Sequence, residues 1–530
     1  MRESHKGPIL YIFFTKDISD AININHIKFA DDLRMWSSDQ DTKVIETHLN
    51  ENVGNLLDWS RKWRQGINIQ KTEAMCFAKT KTKIDVTANG RVLEQVSEKR
   101  ILGVTLDDKL KFNPHIEACA SRALAQVTKL SILTNGLNGA NAELLLTLYK
   151  TCIRPTLEYG YPVWCSVSDI TALERVQYQA LRKATGALHG SPSSALNTIT
   201  NIIPIDLRLD EILLNSYLKI ARKEDNNHLK IKINRLLQDP KFMDHKIITP
   251  IHKLSMVLRT IPSDINISNV EKQLHISITS CLAPKATGID YTPGIFGSSG
   301  TRSSYQAEAA LKTAKYYLAN TKGDIVAFTD GSALGNPGPC GAGSAIFWKG
   351  MDSIPSLHKR PVSKLSSSYH GELQAIDLAL QVIANKMPPV KNVTVHIITD
   401  CQSALQAAIK CDITKNFGTL LNNIQKSLIC FRERKIRTVI YWTAGHIKLD
   451  GNELADKLAK EAAAEARDNT IPESPLSTSE IKNSFRKYIL KRWQKRWDQG
   501  KDSRYTHTLI PQVKLGDTKV YQTDKLKRNS

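Results

Sequence analysis

No stretch of the chain approaches the roughly 18 consecutive apolar residues that a bilayer-crossing helix needs. The opening segment, MRESHKGPILYIFFTKDISDA, has a short apolar run interrupted by Lys16 and lacks the small-residue cleavage pattern of a secretory leader. Neither a signal peptide nor a membrane span is expected, and no membrane partner. Disulfides are also without a framework: the nine Cys are scattered singly, and their odd number leaves at least one unpaired. No two of them have the close spacing of a zinc ligand pair. A reducing, intracellular setting, nucleus or cytoplasm, fits this cysteine usage. No internal repeat stands out.

What is present in abundance is length, apolar content and positive charge. The chain has 530 residues, enough for two to four domains, and 41% of them are hydrophobic, so sizeable cores can form. Lys and Arg number 73 against 52 Asp and Glu, a formal net charge of +21. That balance favours a polyanionic partner, nucleic acid before an acidic membrane surface. A basic protein kept soluble by its charge is the alternative.

The patterning divides the chain into four segments: 1–120, 121–320, 321–467 and 468–530. The first mixes short apolar runs with a helical stretch near Asp41–Arg64. The second is mostly helical, with apolar residues three and four apart, most clearly over Ala142–Thr151 and Ala172–Thr185. Pro293–Ser304 (PGIFGSSGTRSS) has the composition of a linker. The third changes character. Strand-like DIVAFTD (Asp324–Asp330) and VTVHIITD (Val393–Asp400) each end in an acid, and GAGSAIFW (Gly341–Trp348) is a strand without one. Ser366–Ala384, Ser403–Ile409 and Gly451–Ala466 have helical periodicity, and Ile436–Trp442 is a further strand. Strands in series, then alternating with helices, predict an α/β mixed sheet flanked by helices. In the last segment, 481–530 holds fourteen Lys and Arg against four Asp, a difference of +10.

Four acids occupy positions that ordinary packing does not favour. Asp330 ends a strand on the same face as Val326 and Phe328, and Asp400 ends another beside Ile398. Two parallel strands ending together would bring these acids to the carboxyl edge of a sheet, where open α/β sheets bind ligands. Glu372 falls within the apolar stripe Leu373, Ile376, Ala379, Leu380 and Ile383, where a carboxylate is costly unless paired or metal-bound. Asp456 lies early in a helix expected to start at Asp450, with Glu453 three residues on as in a capping box. Ala459 and Ala463 share its side and would let that helix approach the sheet closely. Each acid also has an ordinary alternative: Asp330 a turn residue, Asp400 a helix cap, Asp456 a solvated acid, Glu372 a favourable charge near a helix start. Taken together, converging carboxylates without a Cys or His cluster suit hard cations such as Mg²⁺ or Mn²⁺. Two such ions about 4 Å apart can hold the attacking and leaving oxygens of a phosphodiester displacement.

The blocks TDGSALGNPGPCGAG, YHGELQAIDLAL, ITDCQSALQA and YWTAGHIKLDGNELADKLAKEA, in this order between Thr329 and Ala462, resemble the signature blocks of type 1 ribonuclease H. The resemblance implies a ribonuclease H-like fold that cleaves the RNA strand of RNA–DNA hybrids. It implies Asp330, Glu372, Asp400 and Asp456 as metal ligands and His446 as an assistant in proton transfer or product release. It also implies Ser332 as a substrate contact, and Asn336, Gln374 and Asn452 as substrate contacts or as supports behind the metal ligands. From the residues alone, His446 between Gly445 and Ile447 is equally an ordinary loop histidine. Recognition through the 2′-OH and deoxyribose predicts little sequence preference. The segment from Asp400 to the Ile436 strand contains only two short helical stretches. It does not resemble the basic helical insertion of some members, so hybrid affinity would draw on the 481–530 tail.

Upstream, Phe29-Ala30-Asp31-Asp32 between apolar runs predicts a hairpin with two acids at its tip. Together with NIQKTEAMCF, ILGVTLDDKLKFNPH, LYKTCIRPTLEYGYPVW and LERVQYQALRKATG, it resembles the palm, thumb and connection of non-LTR retrotransposon reverse transcriptases. Segment 1–120 is then expected to be a truncated palm remnant, 121–320 a helical thumb and connection, and 468–530 a basic tail. Only 30 residues precede Asp31, without an equivalent of the further palm Asp, so Asp31 and Asp32 are expected to be relics of polymerase chemistry. WQKRW, at Trp493–Trp497, is similar to the region after the nuclease in such elements; an amphipathic basic helix explains it as well. The functional expectation is a metal-dependent hybrid ribonuclease. A non-catalytic nucleic-acid-binding relic is the alternative, and polymerase activity with another chain supplying the missing Asp is a third.

Overall fold

The computed structural model describes residues 7–78, 82–133, 140–240, 249–263, 265, 267–272, 290–291, 304–319, 321, 323–386, 393–410, 416–445, 447–467 and 474–514. The linker expected at Pro293–Ser304 and the residue His446 therefore lie outside the described residues, the linker all but for Ser304. The chain divides into two compact units, Met1–Ser191 and Pro192–Ser530. The division falls inside the 121–320 segment.

In the first unit, β1 (Asn25–Phe29) and β2 (Asp32–Trp36) form the expected antiparallel hairpin, Phe29 opposite Asp32, with Ala30 and Asp31 in the turn. α1 (Thr42–Lys62) starts where expected because Asp41 caps it, accepting from the Lys43 amide at 2.9 Å. Its Val53, Leu56 and Trp59 are buried at helical spacing, the first beside Ile84 and Val86, the other two beside Ile18 and Ile22. A second hairpin, β3 (Glu98–Ile101) with β4 (Val104–Asp107), precedes α2 (Asn113–Leu133), which packs on α3 (Thr171–Thr185). The helix predicted over Ala142–Thr151 is α-helical to Leu148 and widens to a π turn at Tyr149–Ile153.

The second unit begins with helices, among them α4 (Ile205–Ala221), and is organised around one six-stranded sheet. Its strands are β5 (Asp290–Tyr291), β6 (Ile325–Ala333), β7 (Gly338–Phe347), β8 (Ser356–Ser366), β9 (Thr394–Thr399) and β10 (Arg437–Trp442). Their order is β8-β7-β6-β9-β10-β5; the first three are antiparallel and the rest run parallel to β6. The mixed sheet is the one predicted. Asp330 lies within β6 rather than in a turn, which removes the turn alternative for it.

The helices of this unit are α5 (Ser368–Lys386), α6 (Gln402–Lys410), α7 (Gly418–Glu433), α8 (Asp450–Glu465) and α9 (Thr478–Gln499). Residues opposite one another in a ladder share a face. Asp330 faces Gly343 and Gly331 faces Ala342 across β6 and β7, so the two glycines lie on opposite faces. A Cβ on Gly343 would stand 2.2 Å from the carbonyl oxygen of Ala455, and one on Gly331 would stand 2.0 Å from the amide nitrogen of Glu372. Thus α8 presses on one face and α5 on the other, each where a side chain is missing. The small residues foreseen on α8, Ala459 and Ala463, serve this approach and are fully buried, as is Ala455. The capping box expected at Asp450 and Glu453 does not form. Leu449 is the N-cap residue and makes no side-chain cap, so Asp450 and Glu453 act only as acids in the first turn.

The basic tail is structured over α9. Trp493 and Trp497 are buried with Ile203, Leu207, Tyr488 and Ile489, which fits the amphipathic-helix account of WQKRW. No helix among the described residues is long and apolar enough to cross a membrane.

Candidate metal centre

Three of the four predicted ligands converge. Carboxylate oxygens of Asp330, Glu372 and Asp400 lie within 4.8 Å of one another. The register explains two of them. Thr329 is opposite Thr399 in the parallel pair β6–β9, so the residues that follow, Asp330 and Asp400, emerge side by side. Glu372 arrives from α5, whose first turns lie against β6 at Gly331. The Thr399 hydroxyl donates to Glu372 Oε2 at 3.4 Å, and the Trp442 indole donates to the Asp400 carbonyl at 2.9 Å, fixing the strand end.

The electrostatics are those of acids forced together. Burial, then the neighbouring Asp400 and Asp456, push the Asp330 carboxyl up to about 7. Burial, then Asp330 and Asp400, hold Glu372 well above the ordinary carboxylate range. The Lys460 ammonium, near enough to feel the Asp330 charge, does not offset these effects. Oxygen donors crowded in this way match a hard divalent cation, whose charge removes the repulsion.

Asp456 stands beside Asp330, within side-chain hydrogen-bonding reach, and is also held by Lys460, whose Nζ lies 2.6 Å from its Oδ2. Asn452, predicted as a substrate contact, lies at the cluster: its Nδ2 donates to Asp400 Oδ2 at 3.4 Å, while its buried Oδ1 has no hydrogen-bond partner among the described residues. Ser332 is half-buried on β6 opposite Gly341. Asn336 is exposed in the β6–β7 turn; its side chain donates to Ser368 Oγ at 3.4 Å and its carbonyl accepts from Lys487 at 3.3 Å. Gln374 is buried among protein partners, accepting from Arg360 at 3.1 Å and donating to Ser474 at 3.3 Å. The structure thus brings Asn452 to the carboxylates and engages Gln374 internally. Asp31 and Asp32 are exposed at the hairpin tip, where Asp32 pairs with Arg34. Among the described residues no third His, Cys, Asp or Glu joins them in a metal-sized group.

Thr399, Trp442 and Lys460 were not singled out from sequence. Lys460 was within reach, since it stands four residues after Asp456 on one helix face.

These shifts have a consequence for the metal-free protein. An acid whose folded-state pKa is raised binds more protons folded than unfolded, so its contribution falls as pH rises from the unfolded value to the folded one. For Asp330 that window runs from 3.8 to about 7, an upper bound of about 4 kcal/mol. His370, which burial pulls down to about 4, acts in the opposite sense: its contribution is present above its unfolded value and is lost as pH falls toward 4. The carboxylate effect is isolated by difference. In chelator, Asp330→Asn is expected to gain stability over the native chain progressively between pH 4 and 7. A stability difference that does not change across that window in denaturant unfolding refutes it.

A layered α/β domain with a carboxylate cluster at the ends of two adjacent parallel strands is the class that fold and site define. The RNase H family model matches residues 322–464. The ribonuclease H of Nitrosococcus oceani is 31% identical over 144 residues, 26% of this chain and 90% of that protein. The chain belongs to the ribonuclease H family. The structure of LC11-RNase H1 in complex with RNA/DNA hybrid aligns with 27% of this chain and all of that one, at 22% identity and a TM-score of 0.23.

The N-terminal half matches RNA-directed DNA polymerases of Drosophila non-LTR retrotransposons. The RNA-directed DNA polymerase from the mobile element jockey of Drosophila melanogaster is 26% identical over 192 residues, 34% of this chain and 21% of that protein. The chain spans between a fifth and a quarter of the length of these relatives, 21% to 24%.

Proposed function

We propose that this chain hydrolyses the RNA strand of RNA–DNA hybrids endonucleolytically, at Asp330, Glu372, Asp400 and Asp456. The observation that carries this function is the three-carboxylate cluster, Asp330 and Glu372 buried and Asp400 half-buried, with oxygens within 4.8 Å of one another. Left bare, such a cluster repels both itself and a phosphodiester. Its donor set suits Mg²⁺ or Mn²⁺, two ions held by the four acids, which when bound supply an activated water and neutralise charge on the leaving 3′ oxygen.

The chain's own residues do the rest. Thr399 steadies Glu372, and Asn452 steadies Asp400. The unpartnered Asn452 Oδ1 is an acceptor suited to a substrate hydroxyl. His446 is assigned to proton transfer or product release by its sequence block. The test incubates the full chain with labelled hybrid and Mg²⁺. Internal cuts in the RNA strand support the proposal. Binding without cutting supports the non-catalytic alternative instead.

The tail contributes charge selectively. On α9, Arg486, Arg492 and Arg496 face α4, pairing with Glu211 at 3.4 Å, Asp210 at 2.7 Å and Asp206 at 2.6 Å. Lys487, Lys491 and Lys495, four apart on the same helix, are exposed, and Lys487 adjoins the Asn336 turn. Arg486 and Arg496 are also exposed but are tied to carboxylates, so the lysines are the part of α9 that we assign to a phosphate backbone. Each phosphate contact contributes about 0.9 to the slope of log affinity against log salt, so replacing all three lysines by Gln is expected to reduce that slope by roughly 2 to 3. An unchanged slope in filter binding would exclude them from the interface.

A further inference from the structure

Glu480 is a buried carboxylate on α9, beyond the residues that the RNase H family model matches. Its Oε2 accepts from the amide of Ser477 at 2.8 Å, completing the capping box of its own helix. Its Oε1 does something else. It accepts from the Ser366 hydroxyl at 2.6 Å, the Ser367 amide at 2.7 Å and the Ser367 hydroxyl at 2.8 Å. Ser367 immediately precedes α5, and its hydroxyl also accepts from the His370 amide at 3.4 Å, as an N-cap does. One carboxylate therefore holds the starts of two helices that are 113 residues apart in sequence between Ser367 and Glu480.

The second of those helices carries Glu372, in the second turn after the clamp, about 8 Å along the axis. On its other side α5 is pressed against Gly331, so it has little freedom to settle elsewhere. We infer that Glu480 is a positioning residue of the metal centre: by clamping Ser366 and Ser367 it fixes where α5 begins and hence where the Glu372 carboxylate stands relative to Asp330 and Asp400. This rests on the nuclease proposal. It makes α9 a working part of the catalytic domain rather than an appendage.

The charge on Glu480 suits the task. Donor groups at a helix start favour an anion, and charge-assisted hydrogen bonds are the short, strong ones. Losing a group that orients a metal ligand commonly lowers metal affinity by roughly tenfold to a hundredfold.

The experiment measures Mg²⁺ binding to the full chain by calorimetry, alongside hybrid cleavage. Glu480→Ala is expected to weaken Mg²⁺ binding by roughly tenfold or more and to raise the Mg²⁺ needed for half-maximal cleavage in parallel, with KM for hybrid unchanged. Glu480→Gln keeps an oxygen for the Ser366 and Ser367 donors and is expected to stay within about threefold of the native chain. Ser477→Ala removes the cap of α9, where the Ser477 hydroxyl accepts from the Glu480 amide at 3.2 Å, but leaves the Ser366 and Ser367 contacts. It is expected to cost stability without moving metal affinity. Should Glu480→Ala fail to fold, the double change Ser366→Ala with Ser367→Ala, which removes two donors to the same oxygen, takes its place.

Equal metal affinity in the native chain and Glu480→Ala, or an equal loss in Ser477→Ala, overturns the inference while leaving the nuclease standing. A native chain that neither binds Mg²⁺ nor cuts hybrid overturns both, and the native control shows which has happened.

Discussion

Asp400→Asn is expected to abolish cleavage while making the metal-free protein more stable. The two effects have one cause. Asp400 adds to the forces that raise both Asp330 and Glu372, so removing its charge relieves a repulsion that a bound cation would also relieve. The amide keeps an oxygen for the Asn452 donor, which lies 3.4 Å from Oδ2 in the native chain, so the local fold persists. Losing a metal-binding charge at about 4 kcal/mol of transition-state stabilisation corresponds to roughly a thousandfold in rate. Single-turnover cleavage and unfolding in chelator read the two effects separately. If Asp400 were simply a helix cap, Asn, which caps as well as Asp, would leave both stability and cutting nearly unchanged, and that outcome would falsify the assignment.

The largest effect on folding is expected at Gly331. The Cβ of an alanine there would stand 2.0 Å from the Glu372 nitrogen and 2.3 Å from the Gly371 carbonyl carbon, both backbone atoms that no rotamer change can move. Either α5 shifts as a body or the sheet opens. Overpacking of this kind typically costs about 1 to 3 kcal/mol and sometimes more. Gly331→Ala is therefore expected to unfold at markedly lower denaturant and, where it folds, to cut hybrid poorly because Glu372 is displaced. Ser332→Ala, one residue on and half-buried, serves as the control. Matching midpoints for the two variants would show that α5 does not press on the strand as described.

Much of this site was legible because its signals are local. Asp330 and Asp400 end alternating apolar runs, and the alternation alone gives the strand, the face and the sheet edge. Glu372 was visible as a charge inside an apolar stripe, where ordinary packing has no place for one. Asp456 had no such mark; only its surrounding block set it apart from any solvated helical acid. The errors are local too. Asp450 and Glu453 have the spacing of a capping box, but Leu449 takes the cap position, a shift of one residue that composition does not reveal. Gln374 stands among the ligand blocks, yet Arg360 on β8 turns it inward, a contact between segments that periodicity cannot see. The same holds for Glu480, whose second role depends on a partner 113 residues away. Net charge misleads by averaging: three of the tail's arginines are already counterions to α4.

The pair formed by Asp456 and Lys460 changes how the fourth corner of the metal centre fills. Asp330, Glu372 and Asp400 bring their oxygens within 4.8 Å of one another. Asp456 already has a tenant, an ammonium 2.6 Å from its Oδ2, on a side chain that is itself largely exposed and free to swing away. On the proposed four-acid site, a divalent ion arriving at that corner would displace one cation with another instead of meeting a bare acid. Lys460 would then be its competitor for Asp456.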